Sequence, residues 1–355
     1  MTIAKKISIL VVEDSDVVRA FLVNLLNEDP AIKVIATAVN GQEAVEMALK
    51  YNPDLITMDI NMPKLNGFDA TEKIMQVAPT PIVIVSSNYD KTNTDMHFNA
   101  LKAGALAILP TPLGFGHKDH NESVRYFLNM IRLMSEVKVV RKHSSAKHVK
   151  STDENSSPVI PVSVSKTIKD IQLIVIGASA GGPPVLLEIL EGLPDNFQIP
   201  IIIVQHVDAT FSDGLYKWLL NSTHKNIKQG ENGELLLPGT IYLAPKDRHI
   251  GITNDNRIII SHDAAEHNCR PAVSYLFRSV RNTSNKHAIG ILLSGMGVDG
   301  AMELKELKDM GCVTIAQDRE SSLVHGMPGE AIRLNGSKFI MNPTQITLFL
   351  NNLKH

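Results

Sequence analysis

Residues 171–190 read IQLIVIGASAGGPPVLLEIL. A short apolar run over 171–176 passes through Gly177-Ala178-Ser179-Ala180-Gly181-Gly182 into a segment of helical period over 184–190. Strand, tight turn and helix in this succession form the repeating unit of a parallel α/β sheet. The same alternation extends outward in both directions. Towards the N-terminus, apolar runs at 7–12, 32–38, 55–58, 82–85 and 106–109 alternate with helical segments at 17–26, 42–50, 70–77, 94–103 and 124–134. Towards the C-terminus come a strand at 201–204, a helix at 212–220, a helix at 273–281, a strand at 289–293, a helix at 301–310 stopped by Gly311, and a strand at 313–316. Between them, short runs at 235–237, 241–243, 250–253 and 258–260 with turn signals such as Pro238-Gly239 predict a β-hairpin insertion.

Residues 138–169 break the pattern. They contain no aromatic residue, seven Lys/Arg against two acidic residues, and many serines, a composition that cannot bury enough apolar surface to offset its ordering entropy. Three segments are therefore expected: an α/β domain over 1–137, a flexible basic linker over 138–169, and a second α/β domain over 170–355. The linker's charge of +5 suits either a solvated spacer or an acidic partner.

A length of 355 residues gives each domain room for a core without disulfide or structural-metal support. With 35 basic against 37 acidic residues, no global field favours nucleic acid or an anionic membrane. Cys269 and Cys312 fit neither a disulfide framework nor a CxxC motif and are expected to be reduced. The early apolar run at 7–12 meets Glu13 and Asp14 at once, too soon for a signal sequence or membrane span, so a cytoplasmic location is expected.

In open parallel sheets, ligands bind beyond the carboxyl ends of the strands. Three acids fall there in the first domain: Glu13 and Asp14 after the first strand, and Asp59 after the third. Together they would repel unless a cation neutralised them, and an all-oxygen site suits Mg²⁺; taken singly, each is equally readable as a helix-capping acid. In the second domain, Gly-x-Ser-x-Gly at a strand-to-helix turn makes Ser179 a candidate nucleophile. A phosphate loop is the alternative, but Ser179 stands where GxGxxG needs glycine, and no Walker lysine follows. His206, directly after an apolar strand, is a candidate base. Asp299, in the glycine-rich loop 294–300, would either orient the imidazole or cap the following helix. The order Ser, His, Asp differs from that of α/β-hydrolases. His262, Asp263, Glu266, His267 and Cys269 have metal-ligand character but read better as a solvated loop, and His117, Asp119 and His120 as a helix entry.

Met58-Asp59-Ile60-Asn61-Met62-Pro63-Lys64-Leu65-Asn66-Gly67, with Glu13-Asp14 before it and Ser86 ending the fourth strand, resembles a two-component receiver domain over about residues 5–135. That resemblance implies a flavodoxin-like doubly wound five-stranded sheet, Asp59 as phosphoacceptor, Mg²⁺ held by Glu13, Asp14 and Asp59, Ser86 as the switch hydroxyl, and a histidine kinase as phosphodonor. Two positions depart from the family: Thr111-Pro112 replaces Lys-Pro, and Ile108 replaces an aromatic residue. Weaker coupling of phosphorylation to conformation is the expected consequence.

Further motifs follow in order: Gly177 to Gly182, Gln205-His206, Leu237-Pro238-Gly239, Ala244-Pro245-Lys246-Asp247-Arg248-His249, Arg270-Pro271, Leu276-Phe277-Arg278-Ser279-Val280, Gly295 to Gly300 and Gly326-Met327-Pro328. With the receiver they resemble the chemotaxis protein-glutamate methylesterase family over nearly the whole chain. The resemblance implies a doubly wound methylesterase domain, a Ser179–His206–Asp299 triad, an oxyanion donor at the Met296 backbone, and chemoreceptor glutamyl methyl esters as substrate, with glutamine deamidation as a related activity. It further implies that the unphosphorylated receiver covers the serine and that phosphorylation opens it. Ala180 and Val207 replace the Thr and Met usual in the family. A non-catalytic adaptor, a constitutive enzyme and a general esterase remain alternatives.

Overall fold

A computed structural model describes residues 6–86, 94–137, 139, 171–207 and 212–353. The chain divides into two compact units, Met1–His143 and Ser144–His355. The segment expected to be a linker lies outside the described residues apart from Val139.

The first unit alternates β1 (Ile7–Val12), α1 (Asp16–Glu28), β2 (Ile32–Ala38), α2 (Gly41–Tyr51), β3 (Leu55–Met58), α3 (Gly67–Val77), β4 (Ile82–Ser86), α4 (Thr94–Ala103), β5 (Ala107–Pro110) and α5 (His120–Ser135). Its sheet is wholly parallel in the order β2-β1-β3-β4-β5, the doubly wound arrangement expected. β3 and β4 are buried at every position, which is why they read as unbroken apolar runs. Side chains of Ser15, Asn40 and Asn66 accept the orphan N–H groups at the starts of α1, α2 and α3, each cap contributing about 1 kcal/mol. The core packs Ile9, Val11, Leu22, Leu26 and Leu55 with Val83, Phe127 and Ile131. Helix α5 starts at His120, four residues before its apolar period becomes visible at Val124, because its first turn is polar and exposed.

The second unit contains β6 (Leu173–Ala178), α6 (Gly182–Glu191), β7 (Ile201–Gln205), α7 (Ser212–Thr223), β8 (Ile227–Gln229), β9 (Ile241–Leu243), β10 (His249–Ile252), β11 (Ile258–Ser261), α8 (Val273–Asn282), β12 (Ala288–Leu292), α9 (Ala301–Met310), β13 (Val313–Gln317), α10 (Met327–Arg333), β14 (Phe339–Met341) and α11 (Pro343–Asn351). Seven strands form one parallel sheet, β14-β13-β12-β6-β7-β9-β8. The hairpin insertion is β10–β11, the only antiparallel strand pair among the described residues. One of the short runs grouped with it belongs elsewhere. Residues 241–243 form β9 inside the main sheet, whereas Leu235 stays with the hairpin through an antiparallel bridge to Arg257, just before β11. Strands of three residues carry too little periodicity to show their partners, and β8 and β14 went unseen for the same reason. Helices α10 and α11 were also missed. Among the described residues, no helix is long and apolar enough to cross a membrane.

Candidate active site and phosphoacceptor pocket

Strand β6 lies where the sheet reverses its winding: β7, β9 and β8 follow on one side, β12, β13 and β14 on the other. Such a switch point opens a crevice at the carboxyl ends, and the ends of β6, β7 and β12 are stitched together there. Ser179 N–H donates to the Ser294 carbonyl at 2.9 Å, His206 N–H to Ala178 at 2.9 Å, and Leu293 N–H to Gly177 at 2.9 Å. The Gln205 side-chain amide donates to the carbonyls of Ser179 and His206 at 2.8 and 2.9 Å. Gly181, at φ +77°, turns the chain into α6. Gly295 lies so near that a Cβ there would sit 2.8 Å from Ser179 Cβ and 2.3 Å from Met327 Sδ, so only glycine fits beside the serine.

His206 Nε2 meets Asp299 Oδ2 at 2.7 Å. Asp299 Oδ2 also accepts from Val273 N–H at 2.7 Å, and Oδ1 from Ser274 N–H at 2.9 Å. The alternative reading, in which Asp299 caps the helix after it, does not hold. Gly300 precedes α9 without a side-chain cap, and Asp299 instead satisfies the first N–H groups of α8, where the helix dipole favours an anion. Burial would raise the Asp299 carboxyl, but the imidazole and the Ser274 donor outweigh it and hold the group below its usual range. Burial would lower the His206 imidazole, yet contact with Asp299 and Cys269 prevails and raises it to about 9. The Cys269 contact, Sγ to His206 Nδ1 at 3.6 Å, was not foreseen.

Residues 262–269 do not assemble into a metal-binding group among the described residues. Glu266 is engaged by Arg278 and Cys269 by His206. Ser294 also escaped notice: its Oγ donates to the Ala180 carbonyl at 2.8 Å and accepts from Val324 N–H at 3.0 Å, bracing the serine turn. A small polar residue closing a fully apolar strand was the available signal. Met296 follows Gly295, and its N–H has no acceptor among the described residues.

In the receiver-like unit, one oxygen each of Glu13, Asp14 and Asp59 lies within 4.8 Å of the others. Capping of α1 falls to Ser15 rather than to these acids. Asp59 is raised by burial and the Asp14 charge against the N–H groups of Ile60 and Asn61. Glu13 is raised to about 7 by burial, then by the Asp59 charge, against the N–H of Ser15. This surplus of negative oxygen fits a hard divalent cation. Gly67 packs on Asp59, where a Cβ would lie 2.0 Å from the carbonyl oxygen. Buried Ser86 ends β4 next to β3, and Thr111 N–H donates to its carbonyl at 3.1 Å. The Thr111 hydroxyl is itself buried without a hydrogen-bond partner among the described residues.

Fold and sites together define a two-unit α/β protein of the response-regulator class, a receiver joined to a hydrolase-like domain. The receiver model for response regulators matches residues 9–117, and the CheB methylesterase model matches residues 174–350. The chain is 46% identical over 347 residues to the protein-glutamate methylesterase/protein-glutamine glutaminase of Nitrosospira multiformis, covering 98% of this chain and 97% of that one. It is 45% identical to protein 2 of that name from Methanospirillum hungatei, with 98% of each covered. The CheB methylesterase catalytic domain of Thermotoga maritima aligns with TM-score 0.50 and 32% identity, over 52% of this chain and 98% of that domain. The chain belongs to the protein-glutamate methylesterase/protein-glutamine glutaminase family.

Proposed function

We propose that the chain hydrolyses glutamyl methyl esters on chemoreceptors with Ser179 as nucleophile, His206 as base and Asp299 as its orienting partner. The observation that carries this is the 2.7 Å bond between His206, at the end of β7, and Asp299, in the loop after β12, the two strands that flank β6 and its Ser179 turn. Because Asp299 takes Nε2, the proton of the attacking serine passes to Nδ1. Ser179 Oγ bonds to the ester carbonyl carbon, and Met296 N–H faces the resulting oxyanion, such a donor supplying roughly 3 to 4 kcal/mol. Collapse expels methanol, which takes the proton from the imidazolium; water then releases glutamate and restores the serine. The same steps on a glutamine side chain would expel ammonia, in keeping with the relatives' double name.

The segments we assign are a receiver over 1–137, a linker over 138–169 and a methylesterase domain over 170–355. In the receiver, Asp59 would accept a phosphoryl group from a histidine kinase, with the Ser86 hydroxyl beside it. Glu13, Asp14 and Asp59 would hold Mg²⁺, which when bound neutralises charge on the transferring oxygens. Thr111, standing where the receiver resemblance implies lysine and with its hydroxyl unpartnered among the described residues, supports weak coupling of phosphorylation to activity.

Methanol release from methylated receptor membranes, with and without a small phosphodonor, tests both halves. Ser179→Ala should lower release by 10⁴-fold or more on the order seen when a serine nucleophile is removed. Release that survives Ser179→Ala overturns the triad. Serine-dependent release unchanged by Asp59→Ala discards control by the receiver.

A further inference from the structure

We propose that Cys269 is a positioning residue of the esterase, holding Nδ1 of His206 so that the imidazole is fixed at both ends while it waits for the serine. This rests on the triad assigned above. An ionised carboxylate only accepts hydrogen bonds, so Asp299 keeps the N–H of His206 on Nε2 in either charge state. The working nitrogen is then Nδ1, and the group facing it is Cys269 Sγ at 3.6 Å.

A thiol is a weak donor and a weak acceptor. It can take the Nδ1–H of the charged ring, or donate to the lone pair of the neutral one, and still yield to a serine hydroxyl. The sulfur is set in place from both sides. Glu266 and Cys269 exchange backbone hydrogen bonds at 3.1 and 2.8 Å across His267 and Asn268, both left-handed at φ 51° and 62°, a tight primed turn. The Glu266 carboxylate is clasped by both arms of Arg278 on α8. Arg270, the next residue, is paired twice with Asp247, at 2.9 and 3.1 Å. Helix α8 thus registers both contacts of the ring: Asp299 at its N-terminus and, through Arg278, the turn that carries Cys269.

Among the described residues, the titratable groups meeting the imidazole are Asp299, from the loop after β12, and Cys269, from this turn. His249 is committed elsewhere, with Nδ1 on Ala272 N–H and Nε2 on the Ala264 carbonyl. The sulfur contact also supports the charged ring, so its removal should move the acid limb of the pH profile.

The test uses the full chain on methylated receptor membranes, comparing Cys269→Ala, Cys269→Ser and Ser179→Ala. Cys269→Ala should lower the high-pH plateau of kcat about tenfold with KM unchanged, and shift the midpoint of kcat/KM to lower pH. Cys269→Ser, which keeps a donor and acceptor, should return the plateau to within about threefold and restore most of the midpoint. Nitrogen-15 spectra of the histidine rings in the unsubstituted protein should show the proton of neutral His206 on Nε2. The proposal is overturned if Cys269→Ala keeps the parent plateau and midpoint, or if both Cys269 variants fall equally with the midpoint unmoved, which is packing alone. Activity surviving in Ser179→Ala would instead strike the triad beneath it.

Discussion

The two units use one architecture and treat charge in opposite ways. Each gathers side chains beyond the strand ends of a parallel sheet where its winding reverses, and each places a buried aspartate there, Asp59 or Asp299. Asp299 has two backbone donors and an imidazole, and it lies below the usual carboxylate range. Asp59 shares its pocket with Glu13 and Asp14, and both it and Glu13 are pushed up. The Asp299–His206 site is compensated from within. The receiver pocket is left with an electrostatic deficit that a cation and a phosphoryl group can relieve, which makes it responsive where the other is ready-made.

Asp299→Asn should break the esterase half most sharply, lowering kcat on the order of 10⁴-fold. The native carboxylate accepts three hydrogen bonds on two oxygens, whereas an amide offers one accepting oxygen and a donor in place of the other. Either a helix N–H or the imidazole loses its acceptor, and the ring no longer keeps its proton on Nε2. Turnover near the parent value, measured as methanol release, would mean that internal compensation is not what the site uses. A second measurement sharpens the same point through pH. His206 must be neutral to act as base, so its rise to about 9 predicts kcat/KM climbing nearly tenfold per unit below pH 8 and levelling towards 9, about 50-fold in all between pH 7 and 9, after subtraction of the Ser179→Ala background. The same shift acts oppositely on folding. A histidine raised above its unfolded value stabilises the fold fully below about 6.5, and that contribution is lost as pH rises through about 9. The thermal midpoint should therefore lose this contribution where activity gains; a flat activity profile across that interval would contradict the assignment.

The placement of both sites was legible because fully buried parallel strands leave unbroken apolar runs, and the residue after each run marks a strand end. Glu13, Asp59, Ser179 and His206 could be located in this way. Asp299 was placed near the right strand, but its helix was wrong: the bonds to Val273 and Ser274 join positions 26 and 25 apart in sequence, and no local pattern carries such a contact. Cys269 was hidden for a similar reason. Its neighbours His267 and Glu266 share its ligand-like chemistry, so the sequence suggested a metal cluster or a solvated loop, while the turn geometry sends the sulfur alone to His206. Strand β9 shows the limit from the fold side, since three buried residues, Ile-Tyr-Leu, read the same in a hairpin as in a central sheet.

Mg²⁺ binding probes the receiver half. With Glu13 near 7, a proton competes with the cation at neutral pH, so apparent affinity should fall about tenfold for each unit below 7. Asp59→Asn should lower the affinity and move that midpoint down, because the Asp59 charge is one of the causes holding Glu13 up. Isothermal calorimetry between pH 5.5 and 8, as an assay range of roughly that width, would separate the two effects. An affinity independent of pH would mean that the three carboxylates do not share one cation.

The smallest effect belongs to Thr111, which stands where the receiver resemblance implies a lysine. Its N–H is tied to the Ser86 carbonyl at the end of β4, and β4 neighbours the strand that precedes Asp59. Its buried hydroxyl finds no partner among the described residues. Thr111→Lys removes that orphan group and brings an ammonium to the sheet end that bears the acids. A cation near carboxylates favours their charged form, so Glu13 should fall by about one unit and Mg²⁺ should bind with a weaker dependence on pH. The ammonium would also give a phosphoryl group on Asp59 a counter-charge that a hydroxyl cannot supply. Stimulation of methanol release by a phosphodonor should accordingly rise by about threefold, a gain near 0.7 kcal/mol, with the unstimulated rate unchanged. A rise in stimulation without the Glu13 shift would place the benefit in coupling alone. If neither moves, the lysine position is not what distinguishes this receiver, and the charge contrast between the two units must be traced to the acids themselves.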